Sequence, residues 1–197
     1  LLQPGEEAPA HQPQLLPGQV KLKNINGDDK LNEEDMVLIG RNDPKFIFGF
    51  NNNFSYKNFD LNIYMYGQVG KIAGANSYYD AWGSYGNRIK LGQNVPVSFK
   101  DAWSSDNQTS TRPSFIESAY GTGDLFLQKI SFLRIRNITL GYTVPISKSI
   151  CNRLRVYADV NNPCVWTNWK GQDPETDSNT NAYPNVTSFS IGVDISF

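Results

Sequence analysis

Most of the groups that enzymes work with are scarce in this 197-residue sequence. It holds one histidine, His11, in a proline-rich stretch, and two cysteines, Cys151 and Cys164. No glycine-rich phosphate loop occurs and Cys164 follows Pro163 with no base beside it, so no enzyme is expected. The two cysteines stand thirteen residues apart. If the chain between them is extended at about 3.3 Å per residue, their Cα atoms lie roughly 40 Å apart, far beyond the reach of a disulfide. An excess of one charge is also missing: 18 basic residues meet 19 acidic ones, which excludes a nucleic-acid footprint and an acidic tail. No apolar run approaches the roughly 18 residues of a membrane helix. The opening "LLQPGEEAPAHQPQLLPGQV" has no initiator methionine, basic n-region or apolar h-region, and the expectation is that the sequence is the end of a longer chain.

What is abundant is aromatic, glycine, proline and asparagine, arranged with period two. In "KFIFGFNNNFSY" the even positions Phe46, Phe48, Phe50, Phe54 and Tyr56 are aromatic, and Gly49, Asn51, Asn53 and Ser55 between them are small or polar. In "NFDLNIYMYGQV" Phe59, Leu61, Ile63, Met65 and Val69 alternate with Asn58, Asp60, Asn62 and Gln68. In "SFLRIRNITLGYTVP" Ile138, Leu140, Tyr142 and Val144 share one parity, but Leu133 and Ile135 have the other, so a bulge is expected near Arg136 and Asn137. In "NRLRVYADVNN" Leu154, Val156, Ala158 and Val160 alternate with Arg155, Tyr157, Asp159 and Asn161. The last segment, "TSFSIGVDISF", places Phe189, Ile191, Val193, Ile195 and Phe197 on one face. Period two argues strands throughout. Such alternation cancels in a sliding average, so the mean hydropathy of −0.46 does not distinguish a soluble sheet from a membrane one.

Length and spacing do distinguish them. The predicted strands cover about 45–56, 58–69, 131–144, 153–164 and 187–197, longer than the five or six residues usual in soluble sheets. Tilted by about 40°, such runs span a hydrophobic band of about 25 Å. The connections alternate: short after the first and third strands, long over about 70–130 and 166–185, with residues 1–44 before the first. Outer-membrane barrels have short periplasmic turns and long external loops, which would put the C-terminus in the periplasm. Aromatics at strand ends (Tyr56, Phe59, Tyr142, Phe197) suit interfacial girdles. A soluble β-sandwich accounts for the alternation but not for these features. The expected fold is all-β, five antiparallel strands of a larger transmembrane barrel. Five strands cannot close, because open edges in hydrocarbon leave unpaired backbone groups; the rest of the same barrel must supply neighbours.

Ordered blocks along the chain, "PGQVKLKNINGDDKL", "DPKFIFGFNNNFSYKNFDLNIYMYGQVG", "DAWSSDNQTSTRP", "FLRIRNITLGYTVP", "RLRVYADVNN", "WKGQDPE" and "AYPNVTSFSIGVDISF", resemble the C-terminal part of the SusC/RagA family of TonB-dependent outer-membrane transporters. The resemblance implies a barrel of about 22 strands with an N-terminal plug, of which this chain would give the last five strands. It further implies energising by the TonB complex, a SusD-like lipoprotein lid, and import of oligosaccharides or peptides in Bacteroidetes-type bacteria. It also implies that the stripe from Phe189 to Phe197 serves as the signal read by the barrel-insertion machinery; an amphipathic strand with a free edge can template onto another sheet.

Several residues are candidates for more than wall. "NINGDDKLNEED", residues 24–35, has the spacing of an EF-hand or dockerin calcium loop: Asn24, Asn26 and Asp28 at the first, third and fifth positions, the Lys30 carbonyl at the seventh and Asp35 at the twelfth. Asn24 removes a charge there and Asp29 replaces the glycine of the sharp turn; the alternative is an Asn/Asp-rich turn with no ion. Trp82, Trp103, Trp166 and Trp169, with Tyr78, Tyr79, Tyr85 and Tyr120, are expected on external loops, where flat faces stack on sugars or side chains, meet a lid, or pack the loops themselves. Tyr64, Tyr66, Arg155, Tyr157 and Asp159 are expected to form networks on the lumen wall. The sequons at Asn53, Asn107, Asn137 and Asn185 read as chance, since Asn53 and Asn137 fall within strands. Two alternatives stay open: a SusC-like barrel kept as a docking subunit, and a secreted calcium-binding β-domain.

Overall fold

The computed structural model describes residues 1–74, 91–92, 94, 97–114, 124, 127–146, 151–176 and 182–197. The chain divides into two compact units, one of Leu1–Gly40 with Ala75–Leu127, the other of Arg41–Gly74 with Gln128–Phe197.

The second unit is a single antiparallel sheet of β1 (Phe46–Tyr56), β2 (Phe59–Gly74), β3 (Leu127–Val144), β4 (Arg153–Thr167) and β5 (Ser188–Ser196), in spatial order β1-β2-β3-β4-β5. Sequence neighbours are spatial neighbours, so β1 and β5 form the edges. The first turn is as tight as expected: Tyr56 pairs with Phe59, and Lys57 takes φ 53°. The strands run further than the sequence reading at their other ends, β2 to Gly74, β3 from Leu127 and β4 to Thr167. Apolar alternation fades there, but backbone pairing needs no apolar side chain; Phe132↔Thr167 still closes the β3–β4 ladder.

Register sorts the residues into two faces, because directly opposed residues share a side. Phe46, Phe50 and Phe54 oppose Val69, Met65 and Leu61. Asn51, Asn53 and Ser55 oppose Tyr64, Asn62 and Asp60. The β3–β4 register shifts between Ile135 and Asn137, from Ile135↔Cys164 to Asn137↔Asn161, and Asn162 within the offset has φ 49°. The expected bulge is therefore present, and it reconciles Leu133 and Ile135 with Ile138 and Leu140 on one apolar face.

Among the described residues, no second layer covers that apolar face. Ile191 is 83% exposed, and Phe189, Val193, Ile195 and Phe197 are exposed too, as are Phe50, Phe54 and Leu140. A sandwich would bury this stripe. Cys151 and Cys164 are unpaired, as the spacing required.

The first unit is irregular among its described residues, with 3-10 turns at Glu33–Asp35 and Val97–Asp101. Leu2 is its most deeply buried apolar side chain, and its backbone exchanges bonds with residues 18 and 19: Leu2 N donates to the Gln19 carbonyl (3.0 Å) and Gly18 N to the Leu2 carbonyl (2.8 Å). Gly18 has φ 84°, and a Cβ there would lie 2.2 Å from the Trp103 ring. Glycine is required on both counts.

Candidate functional site

Among the described residues, the polar face of the sheet carries three groups of side-chain networks. Near the short turns, Arg155 of β4 forks onto Asp60 of β2, Nε to Oδ1 at 2.9 Å and Nη2 to Oδ2 at 2.6 Å, and its Nη1 donates to Asp194 of β5 at 3.1 Å. To reach β2 the guanidinium must cross β3, and it does so over Gly141, where a Cβ would stand 2.4 Å from Nη2. One arginine thus bridges four strands. The bidentate geometry is the strong form of this pairing.

One step along, Asp159 accepts from Asn137 Nδ2 (2.5 Å), Thr139 Oγ1 (2.6 Å) and Asn161 Nδ2 (2.8 Å). Asn62 Nδ2 donates to Asn51 and Asn53 at 2.7 and 2.6 Å. Arg155 and Asp159 thus take part in side-chain networks across strands. Tyr157 lies opposite Gly192, with the Arg155 guanidinium 5.1 Å from its ring.

The third network was not foreseen. Arg134 of β3, 3% exposed, meets Asp173 at 2.8 Å and Glu175 at 3.3 Å; both acids lie on the segment after β4. Arg136 meets Glu175 at 2.8 Å and lies over the Tyr66 ring of β2 at 5.6 Å. Asn185, just before β5, donates from its backbone and side chain to Asp173 (2.9 and 3.2 Å) and from its side chain to Glu175 (2.7 Å). Burial of Asp173 pushes its pKa up, but the backbone N–H groups of Glu175 and Asn185 and the charge of Arg134 outweigh that and hold it below the usual carboxylate value. The signal was available: "LRIRN", "WKGQDPE" and "AYPN" each carry a member. Sequence alone does not say that residues 39 positions apart meet.

The tryptophans separate. Trp166, expected on an external loop, lies within β4 opposite Leu133, on the apolar face and 53% exposed. The strand runs past the expected end near residue 164 to Thr167, and the register offset absorbs Asn162 and Pro163. Trp169 does follow the strand, but it is 6% exposed and packs against Gly171. Trp103 is half-buried beside Gly18 and Ser114. Trp82, Tyr78, Tyr79, Tyr85 and Tyr120 lie outside the described residues.

In the calcium-type loop the side chains of Asn24, Asn26, Asp28 and Asp35 converge on loop backbone. Asn24 Oδ1 accepts from Gly27 N (2.6 Å), Asn26 Oδ1 from Asp28 N (3.0 Å), and Asp28 Oδ1 from Lys30 N (2.9 Å). Asp35 accepts from Ile25 N (2.7 Å) and Asn32 N (3.0 Å), which lowers its pKa, and Asn32 caps the Glu33–Asp35 turn. The left-handed residue is Gly27, φ 79°, so Asp29 is spared that conformation. Asn24, Asn26, Asp28, Lys30 and Asp35 are the residues available to a cation. Their bonds define a folded turn, and the calcium expectation rests on sequence spacing alone.

Comparison with known proteins agrees with this geometry, although no family model matches the chain. TonB-dependent receptor P3 of Formosa agariphila is 28% identical over 92% of the chain, and TonB-dependent receptor SusC of Bacteroides thetaiotaomicron is 27% identical over 87%. The chain spans 19% and 17% of those relatives, about a fifth of their length. Among solved structures, the RagAB peptide transporter superposes with a TM-score of 0.66 at 28% identity, covering 78% of this chain and 17% of that one. The RagAB peptide importer in its closed-closed state gives 0.67 at 25% identity over 92% of this chain and 21% of that one. These relatives are receptors and transporters, not enzymes, in keeping with the scarcity of catalytic groups. Sequence and fold thus agree in likening this chain to TonB-dependent receptors and transporters of the SusC and RagA kind, as a run of barrel strands with their loops.

Proposed function

We propose that the chain forms part of the wall and external loops of a SusC-like importer in the outer membrane, energised through TonB and covered outside by a SusD-like lipoprotein. One observation carries the reading: a single-layer sheet whose apolar face is left bare while its other face is knitted by charged and amide side chains. That is the division between lipid and lumen in a barrel. The apolar face then meets acyl chains, with Phe46 and Trp166 at the outer girdle and Tyr56, Phe59, Tyr142 and Phe197 at the inner one. Phe59 and Tyr142 already touch, ring to ring at 4.7 Å. The short turns and the C-terminus face the periplasm. Of the two substrate classes, peptides are favoured, since the solved neighbours are a peptide transporter and a peptide importer.

Two measurements on the complete receptor test this. A nitroxide at Ile191→Cys in outer-membrane vesicles is expected to be relaxed by oxygen, which concentrates in lipid, and shielded from a water-soluble nickel chelate; the reverse order refutes the membrane placement. Cells lacking the receptor are expected to lose growth on a peptide or oligosaccharide source that complemented, TonB-competent cells use. Equal growth of both strains on every such source refutes import.

A further inference from the structure

Of the segment joining β4 to β5, residues 168–176 and 182–187 are described, and they are fastened to β3 at Asn168, at Asp173 and Glu175, and at Asn185. At the start, Asn168 accepts from Ser131 N (2.8 Å) and donates to the Lys129 carbonyl (2.7 Å), and Trp169 is buried. Further on, Asp173 and Glu175 are held by Arg134 and Arg136. At the end, Asn185 returns to Asp173 and Glu175, and Arg136 Nη1 reaches its side-chain oxygen at 3.4 Å.

The face on which this happens is fixed by β2. Arg136 lies over Tyr66, and the Phe132 ring stands 5.9 Å from the same tyrosine. Tyr66 belongs to the side of Tyr64, Asn62 and Asp60, opposite to Met65 and Ile63. Asp173, Glu175 and Asn185, which Arg134 and Arg136 hold, therefore lie over the polar face.

Its fastenings are not those of a moving lid. Segments that open in a working cycle come from the low-stability end of a protein, with few buried contacts and solvent-exposed bonds. Here two guanidinium groups meet two carboxylates, and Arg134 and Asp173 are each 3% exposed. Opening would strand buried charge.

We propose that residues 168–176, with Asn185 clasped to them, form a fixed shelf inside the mouth of the barrel, held by Arg134 and Arg136 as positioning residues, which narrows the lumen and sets an upper size limit on imported solutes. This rests on the reading of the polar face as the lumen wall.

The test uses the complete receptor and two variants, Arg134→Gln and Arg134→Lys, with folded barrel checked by gel mobility before and after heating. Hydrogen exchange in outer-membrane vesicles is expected to show residues 168–176 protected like the strands, with protection lost in Arg134→Gln and largely kept in Arg134→Lys. In cells, depletion of a graded ladder of casein peptides and one of linear oligosaccharides is expected to show a size limit that rises in Arg134→Gln, with several-fold faster removal of the largest class and little change for the smallest. Arg134→Lys is expected to restore the limit. Rapid exchange of residues 168–176 in the unmutated receptor overturns the shelf. Lost protection with an unchanged size profile overturns its role in selection. Depletion of neither ladder overturns the import reading, and the exchange result then still decides whether the shelf exists.

Discussion

Replacing Ile191 by arginine separates lipid from water more sharply than any other single change. Ile191 is adjacent to Gly192, the middle of the nine-residue β5. At about 3.3 Å per residue and a tilt of about 40°, that strand covers roughly 23 Å of membrane, so Ile191 sits close to the midplane. Its cross-strand neighbour is Ala158, so the change breaks no large side-chain pair. If water bathes the site, an exposed substitution there alters stability by no more than about 0.5 kcal/mol. If acyl chains bathe it, arginine at the midplane costs about 2–4 kcal/mol. At about 1.4 kcal/mol per tenfold, that is roughly 30- to 700-fold in the folding equilibrium. The assay is denaturant unfolding of the complete receptor in lipid vesicles, followed by the shift between folded and unfolded bands on unheated gels. Arginine scanned along the stripe is expected to cost most at Ile191 and Val193 and about 0–1 kcal/mol at Phe189 and Phe197, near the interfaces. Ser190→Arg, on the other face, is expected to cost far less than Ile191→Arg. A flat profile along the stripe, or equal costs at Ser190 and Ile191, refutes the argument.

Three further outcomes follow from particular contacts. Gly141→Ala places a methyl 2.4–2.5 Å from Arg155 Nη2 and Nε and from Asp60 Oδ1; it is expected to lower the receptor's unfolding midpoint, and Asp60→Ala in the same background is expected to add less than it does alone, since both break one bridge. An additive double variant would show the bridge is not a unit. Gly18→Ala is expected to destabilise the first unit by more than the roughly 1–2 kcal/mol of a left-handed residue, because the Trp103 ring fills the space; limited proteolysis within residues 1–40 reads this, and unchanged cleavage would refute it. Asp35 and Asp173 both have lowered folded-state pKa values. Their contributions are therefore fully present above the ordinary carboxylate pKa and are lost as pH falls through the lowered folded values. Protection factors, which divide out the intrinsic pH dependence of amide exchange, are expected to fall at Ile25, Asn32, Glu175 and Asn185 only in that acid window; a loss of protection on raising the pH from neutral would contradict the sign.

The strands were legible because each position answers to two environments at once. Phe46, Phe50 and Phe54 on one parity with Asn51 and Asn53 on the other leave no other register, and even the bulge near Arg136 was visible as a change of parity. Strand ends were less legible: "NNPC" carries turn residues, yet the β3–β4 offset accommodates Asn162 and Pro163 and carries Trp166 onto the apolar face. Least legible were contacts made by charge. Nothing local in "LRIRN" announces that its arginines are to be neutralised by "DPE", because an ion pair has no period and its partners sit 39 residues apart. The same holds for Arg155 and Asp60, 95 residues apart, whose meeting depends on a glycine in a strand that neither occupies.

The two faces also divide the work of cohesion. If the apolar face meets lipid, as proposed, its side chains gain little from one another, since a neighbouring strand is no more apolar than an acyl chain, and the stripe from Phe189 to Phe197 would fix depth and orientation without holding β5 to β4. Lateral cohesion must come from the backbone ladder and from the polar face. There Arg155 ties Asp194 of β5 to Asp60 of β2, Asp159 draws in Asn137 and Thr139 of β3, and Arg134 and Arg136 bind the β4–β5 segment back to β3. Each network crosses at least one strand boundary. Charges that look dispersed in the sequence, and that keep its mean hydropathy at −0.46, are thus concentrated where water and a lowered local dielectric make them cohesive. Substitutions on the apolar face should therefore change how the sheet sits in a membrane, while substitutions on the polar face should change whether its strands and its last loop stay together.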